Sequence, residues 1–339
     1  MDDSPPFRPV SPAIAAWQRD AADCVTTPEA LLRLLELDPA LPSLNFAQRR
    51  HFPLRVPRAF VARMRRGDPH DPLFLQVWPS DREAVEAPGF LHDAVGELDR
   101  RSEGGVIRKY RGRALVITTG ACAVHCRYCF RQHFPYGESL ATRDRWNPTL
   151  AAIATDTSLV EVILSGGDPL SLTDDKLARL AQGLNAIPHL RRLRIHTRQP
   201  VVLPQRVDSA LLDWLDHCRL QKWMVLHINH ANEIDDALIK ACTRLRGAGV
   251  HLLNQSVLLR GVNDSVAALL ALSERLSDAG VLPYYLHIMD RVQGAAHFEV
   301  GEARAGQLMR ALSARTAGYL VPRLVRETAG APAKTGVSW

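Results

Sequence analysis

Apolar runs rich in Val, Ile and Leu recur at 114–119, 160–165, 192–197, 223–228, 250–256 and 282–288. Their starts lie 46, 32, 31, 27 and 32 residues apart, close to the roughly 30 residues of a β-α repeat. Between them, segments such as 173–184, 235–247 and 266–280 carry apolar residues at helical spacing. Continuous apolar strands alternating with helices predict a parallel sheet covered by helices, and six units predict a partial (β/α)6 TIM-like barrel of the α/β class. In such folds the chemistry sits where the strands end.

Outside the repeats the pattern is weaker. Residues 1–105 read as an N-terminal helical region, with an irregular lead to about 20 that carries prolines at 5, 6, 9 and 12. Thr26 or Thr27 followed by Pro28 predicts a capped helix to about 35, and a second short helix is expected over 57–66 with Val61 and Met64 facing inward. This third shows no chemical motif and reads as a cap packed on the catalytic part. Residues 106–300 form the barrel, and 301–339 a C-terminal segment with a helix to about 314, an apolar run at 320–325 and a Gly/Ala/Pro stretch at 328–333.

Composition narrows the class. With 339 residues, 46% of them hydrophobic, the chain can bury a large core. No apolar run approaches the roughly 20 residues of a membrane helix and the first 30 residues show no signal pattern, so the cytoplasm is the expected compartment and no membrane contact is expected. The net charge of +6, from 42 basic and 36 acidic residues, is mild and comes without a long basic block, so no nucleic-acid partner is needed to explain it.

Three of the six cysteines, Cys122, Cys126 and Cys129, fall within eight residues directly after the first strand. Cys24, Cys218 and Cys242 are scattered and read as core residues or free thiols. Thiolates this close repel unless a metal holds them, and three soft ligands suit zinc or an iron–sulfur cluster. Zinc would take His125 or His133 as a fourth ligand, in a nucleic-acid-binding or scaffold protein. A [4Fe–4S] cluster with three protein ligands keeps one iron open for another molecule.

Polar side chains gather at the other strand ends: 165–169, 196–199, 227–233 and Asn254-Gln255, with Asp290 after the sixth strand. Such groups are costly to bury without partners, so together they predict a cavity. Lysine is scarce, at positions 109, 176, 222, 240 and 334 only. Lys176 and Lys240 lie in helical runs, Lys109 in a basic linker and Lys222 before a strand, which leaves Lys334, in a turn of small residues, as the candidate for Schiff-base chemistry.

The spacing C-x3-C-x2-C, with Tyr128 before the last cysteine, resembles the signature of the radical S-adenosylmethionine (SAM) superfamily. The stretches 122–134, 165–170, 200–206, 227–233, 254–264 and 283–298 together resemble the lysine 2,3-aminomutase family over about residues 50–339. Trp17-Gln18 and the stretches 31–35, 128–136 and 292–298 resemble its short bacterial branch, which makes (R)-β-lysine for elongation factor P.

The resemblance implies a radical SAM barrel that uses a [4Fe–4S] cluster, SAM and pyridoxal 5'-phosphate (PLP). It places the cluster on Cys122, Cys126 and Cys129, and SAM on Ser165, Gly166, Gly167, His227 and Gln255. Lys334 is the implied PLP Schiff base, Arg113 a cofactor or substrate contact, and Arg131 a bidentate partner of the substrate carboxylate. Asp290 and Glu327 are implied to grip a distal ammonium, with Glu327 standing where the longer enzymes have Asp, and Gly330-Ala331-Pro332-Ala333 where they have a glycine run. The implied substrate is L-lysine, with arginine or glutamate as alternatives. An electron donor and a link to elongation factor P and its lysyl ligase are also implied, and a homo-oligomer is left open.

Overall fold

A computed structural model describes residues 15–46, 52–102, 105–139 and 146–339. The first 14 residues of the expected proline-rich lead lie outside the described residues. Strands are numbered in chain order: β1 (Cys24–Val25), β2 (Val56–Pro57), β3 (Arg101–Ser102), β4 (Val106–Ile107), β5 (Arg113–Thr119), β6 (Glu161–Gly166), β7 (Arg192–Thr197), β8 (Gln221–Leu226), β9 (Val250–Leu258), β10 (Leu282–Ile288), β11 (Arg323–Arg326) and β12 (Thr335–Gly336). Strands β5 to β10 are the six expected repeats, and their neighbours in the sheet pair in parallel.

The sheet continues past the sixth repeat. Strand β11 pairs in parallel with β10, and β12 returns antiparallel on β11, so the C-terminal segment is woven into the barrel wall. At the other edge β4 and β3 add antiparallel strands. The order runs β12-β11-β10-β9-β8-β7-β6-β5-β4-β3, with distinct strands at its two ends, so the barrel is partial.

Each strand divides its side chains by period two. Ala114, Val116, Val162, Leu164, Leu193, Ile195, Met224 and Leu252 belong to the apolar layer between sheet and helices. The intervening residues of the same strands line a cavity inside the sheet: Arg113, Ile163, Ser165, Arg194, His196 and Val225 among them. Helices Asp174–Asn185, Asp236–Gly247 and Val266–Asp278 each bury one stripe, and Asp235 and Ser265 cap the latter two through the amides of Leu238 and Ala268. Among the described residues no helix is long and apolar enough to cross a membrane.

The N-terminal third is less helical than its sequence suggests. Helix Pro28–Leu34 is capped by Thr27 as expected, and helix Ala16–Ala22 replaces the irregular lead beyond residue 15 because Trp17 buries its ring beneath the Arg206 guanidinium. The helix expected over 57–66 shortens to Arg58–Val61, although Val61 and Met64 are buried as predicted. The region is built from short helices, turns and a β1–β2 ribbon around one apolar cluster, which also takes in Ala123 and Val124 of the cysteine loop and Val202 and Leu203 after β7.

Candidate active site

One cavity of about 410 Å³ opens at the C-terminal ends of the barrel strands. Cys122, Cys126 and Cys129 line it from the loop after β5, and all three are free thiols. Lys334, from the turn between β11 and β12, lines the same cavity. The other sequence-derived candidates converge there as well: Arg113, Arg131, Ser165, Gly166, Gly167 and His227, together with Gln255, Asp290 and Glu327.

The two glycines at the end of β6 are required by close backbone packing. Gly166 has φ +125°, and a Cβ on it would lie 2.5 Å from the Thr119 carbonyl oxygen; on Gly167 it would lie 2.5 Å from that of Ala121. Gly167 N–H donates to Thr119 O at 2.6 Å and Asp168 N–H to Ala121 O at 2.8 Å. The glycines therefore let the β6 loop clamp the cysteine loop. Asp168 continues the clamp into the next strand end, accepting from Thr197 Oγ1 at 2.6 Å and Arg198 N–H at 2.7 Å.

Both histidines considered as zinc ligands are engaged elsewhere. His125 Nδ1 meets Pro53 O at 2.8 Å and its ring stacks on Phe52; His133 Nε2 meets Gln293 O at 3.1 Å and its ring stacks on His92. No three His, Cys, Asp or Glu side chains among the described residues are grouped to hold a single metal ion. Three free thiols are the soft donor set that an iron–sulfur cluster takes. Burial pushes the Cys129 thiol up to about 12 and Cys122 well above the ordinary range, so loading metal must displace protons.

Arg131 is not open as a fork. Its Nε and Nη2 close on the Glu97 carboxylate at 2.7 and 2.8 Å, and Nη1 donates to Ser165 Oγ at 2.9 Å and Gly166 O at 3.2 Å. The bidentate face expected to meet a substrate carboxylate is held by Glu97, and the Nη1 edge ties the cysteine loop to β6. Glu97 comes from the N-terminal third, where sequence reading found no chemistry.

A second cluster surrounds the amine. Lys334 Nζ donates to Glu327 Oε2 at 2.6 Å, Lys109 Nζ pairs with Glu327 Oε1 at 2.7 Å, and Tyr110 OH donates to the same carboxylate. Burial works against the charge of Glu327, but Lys334, Lys109 and Tyr110 outweigh it and hold its carboxyl at about 2. Lys109 is thus a cavity residue and not a linker cation. Asp290 behaves oppositely: burial, opposed by Lys334 and reinforced by Glu327, pushes its carboxyl up to about 7.

His196 and His287 also line the cavity, and each has a buried Nε2 without a hydrogen-bond partner. Unmet polar atoms of this kind mark a place for a bound polar group. Neither was singled out among the sequence candidates, although His196 lies in a stretch whose polarity flagged it. Asn254, named beside Gln255, points the other way and is spent on Ile228 backbone groups.

Free thiols, a reachable amine and unmet polar atoms, all at one barrel mouth, define a cofactor-dependent α/β-barrel enzyme. The chain is 49% identical over 326 residues to an L-lysine 2,3-aminomutase of Escherichia coli, covering 96% of this chain and 95% of that one. It is 47% identical over 330 residues to that of Haemophilus influenzae, covering 97% and 98%, and 42% identical over 319 residues to that of Buchnera aphidicola, covering 94% of each. The chain belongs to the lysine 2,3-aminomutase family, whose members are isomerases. No family model matches it. Among solved structures, a radical SAM methyltransferase from Sphaerobacter thermophilus gives a TM-score of 0.47 at 19% identity, over 65% of this chain and 68% of that one.

Family membership implies a [4Fe–4S] cluster, SAM and PLP. The residues fit: three free thiols for the cluster, and for the others an amine, the cations Arg113 and Lys109, and buried ring nitrogens without partners, all on one cavity.

Proposed function

We propose that this chain moves the α-amino group of L-lysine to the β-carbon, giving (R)-β-lysine for the modification of elongation factor P. The relatives named L-lysine 2,3-aminomutase support the reaction. The observation that carries it is that the cysteine trio, Lys334 and Asp290 line one cavity. In this reading Cys122, Cys126 and Cys129 hold the cluster, Ser165, Gly166, Gly167, His227 and Gln255 face SAM, and Lys334 binds PLP. Arg113 and Arg131 lie against cofactor and substrate, and Asp290 and Glu327 face the distal ammonium. Residues 1–105 brace the loops, 106–300 form the barrel and 301–339 deliver the amine.

When bound, the three groups supply one-electron chemistry and a carbonyl carbon able to carry an amino group between adjacent carbons. The protein supplies the rest. Glu327, ionised and shared by two lysines, holds the Lys334 amine parked until another cation competes for the carboxylate. Lys334 released from that pair is free to act as a nucleophile. Side chains from the strand ends and from the N-terminal third wall the cavity, where they would orient substrate and cofactors and exclude water.

Anaerobic reconstitution tests the reading directly. A brown protein with about four irons per chain, which converts L-lysine to (R)-β-lysine and leaves arginine and glutamate unchanged, is expected. A colourless protein with one zinc sinks it. Each single Cys122→Ala, Cys126→Ala or Cys129→Ala variant should lose the iron, while Cys218→Ala, in the apolar layer behind the sheet, should keep it. Supplying (R)-β-lysine and α-lysine in turn to the ligase of elongation factor P tests the destination; equal use of both would remove that part.

A pH dependence follows from Asp290. Its carboxyl is neutral below about 7 and ionised above, and only the ionised form attracts an ammonium. The KM for L-lysine should therefore fall by up to roughly tenfold per pH unit as pH approaches 7 from below, then level off. Asp290→Asn should flatten the profile at a high KM. An unchanged profile in that variant would show that the ammonium lies elsewhere.

A further inference from the structure

Arg198 follows β7 and reaches the cysteine loop: its Nη1 donates to Cys126 Sγ at 2.7 Å and to Tyr128 OH at 2.7 Å. Its Nη2 donates to Gln76 Oε1 at 2.7 Å and Glu233 Oε2 at 2.9 Å. The side chain is 6% exposed and that of Glu233 is fully buried. Glu233 is fixed in turn by the amides of Asn229 and His230 at 2.9 and 3.0 Å, and by Gln76 Nε2 at 3.1 Å. Partners from separate segments of the chain thus aim one permanent cation at one candidate cluster ligand, with a single buried carboxylate opposite it.

A cation so placed has an electronic consequence. Once Cys126 is a thiolate ligand, Arg198 becomes a charge-assisted donor to the ligand sulfur. Hydrogen bonds to the sulfurs and local net charge set the potential of an iron–sulfur cluster. Reduction adds one electron, taken from a low-potential one-electron donor, and breaks no bond in the protein. The fixed guanidinium favours the more negative, reduced form.

We propose that Arg198 raises the reduction potential of the cluster and that Glu233 is the counter-charge that limits the rise. This rests on the cluster reading above and adds the residues that poise it. A purely structural brace makes no such electronic contribution, and the two readings part on the sign of the response.

The test compares the anaerobically reconstituted wild type, Glu233→Gln, and the double variant Arg198→Met/Glu233→Gln, each titrated with dithionite while the reduced cluster is counted by electron paramagnetic resonance. Removing both charges together avoids a lone buried carboxylate. Glu233→Gln should shift the midpoint to a less negative potential, because a negative charge beside Arg198 is gone while the side chain keeps its volume. The double variant should lie more negative than Glu233→Gln. Equal midpoints at about four irons per chain overturn the role of Arg198 and leave the cluster reading standing. A wild type without a reducible cluster overturns both. If the double variant takes up no iron, the Glu233→Gln arm decides: a less negative midpoint supports the proposal and an unchanged one overturns it.

Discussion

Lys334→Ala is expected to cost isomerisation on the order of 10^3-fold or more, with iron content and folded stability unchanged. The size follows from the loss of a nucleophile held in place, whose intramolecular advantage no free amine in solution restores at ordinary concentrations. The neutrality for folding follows from the network around it. Glu327 keeps Lys109 Nζ at 2.7 Å and the Tyr110 hydroxyl after Lys334 is gone, so no uncompensated carboxylate is left behind. The side chain of Lys334 is 20% exposed, and its removal opens little packed volume. Turnover of L-lysine, iron content and a urea titration on one preparation check all three; retained turnover would refute the assignment of Lys334.

The barrel was legible because its outward strand faces must be apolar. The runs read at 192–197 and 282–288 coincide with β7 and β10. The run read at 223–228 starts two residues late, because Gln221 and Lys222 open β8 with no apolar signal. Strand β11 escaped as a strand because it is only four residues long, with arginine at both ends. The cysteine trio and Lys334 could be found locally, the first by spacing and the second by scarcity.

Glu97 and Gln76 could not be found that way. Their importance lies in what they meet: Glu97 meets Arg131, and Gln76 meets Arg198, Asn229 and Glu233, all brought close only by folding. Arg198 lies in a stretch whose polarity was noticed, but the strand-end geometry decides which of its side chains reaches a thiol. Sequence alone does not place Lys109, because a basic linker and a cavity wall look alike until β4 joins the sheet.

The N-terminal third does more than cover the barrel, and Arg127 is where this can be measured. Flanked by Cys126 and Tyr128, it points away from the cavity. Its Nε donates to Glu83 Oε1 at 2.7 Å, its Nη2 pairs with the other carboxylate oxygen, and its Nη1 donates to Phe52 O at 2.9 Å. The two side chains are 0% and 1% exposed, so each charge sits out of water beside its counter-charge. Arg127→Met should cost about 3–5 kcal/mol, the usual penalty for stranding one charge of a buried pair. It should appear as a lower urea midpoint at unchanged slope. Adding Glu83→Leu should recover most of that loss, since an apolar pair of similar volume needs no counter-charge. The backbone bond from Arg127 N–H to Gln76 O at 2.9 Å is outside both substitutions and should keep the loop near its place. The double variant should therefore bind iron as the wild type does while its stability recovers. A cost below about 1 kcal/mol for Arg127→Met would show that the pair is no anchor, and that the backbone bonds of the loop and the apolar contacts of Ala123 and Val124 hold it to the N-terminal region.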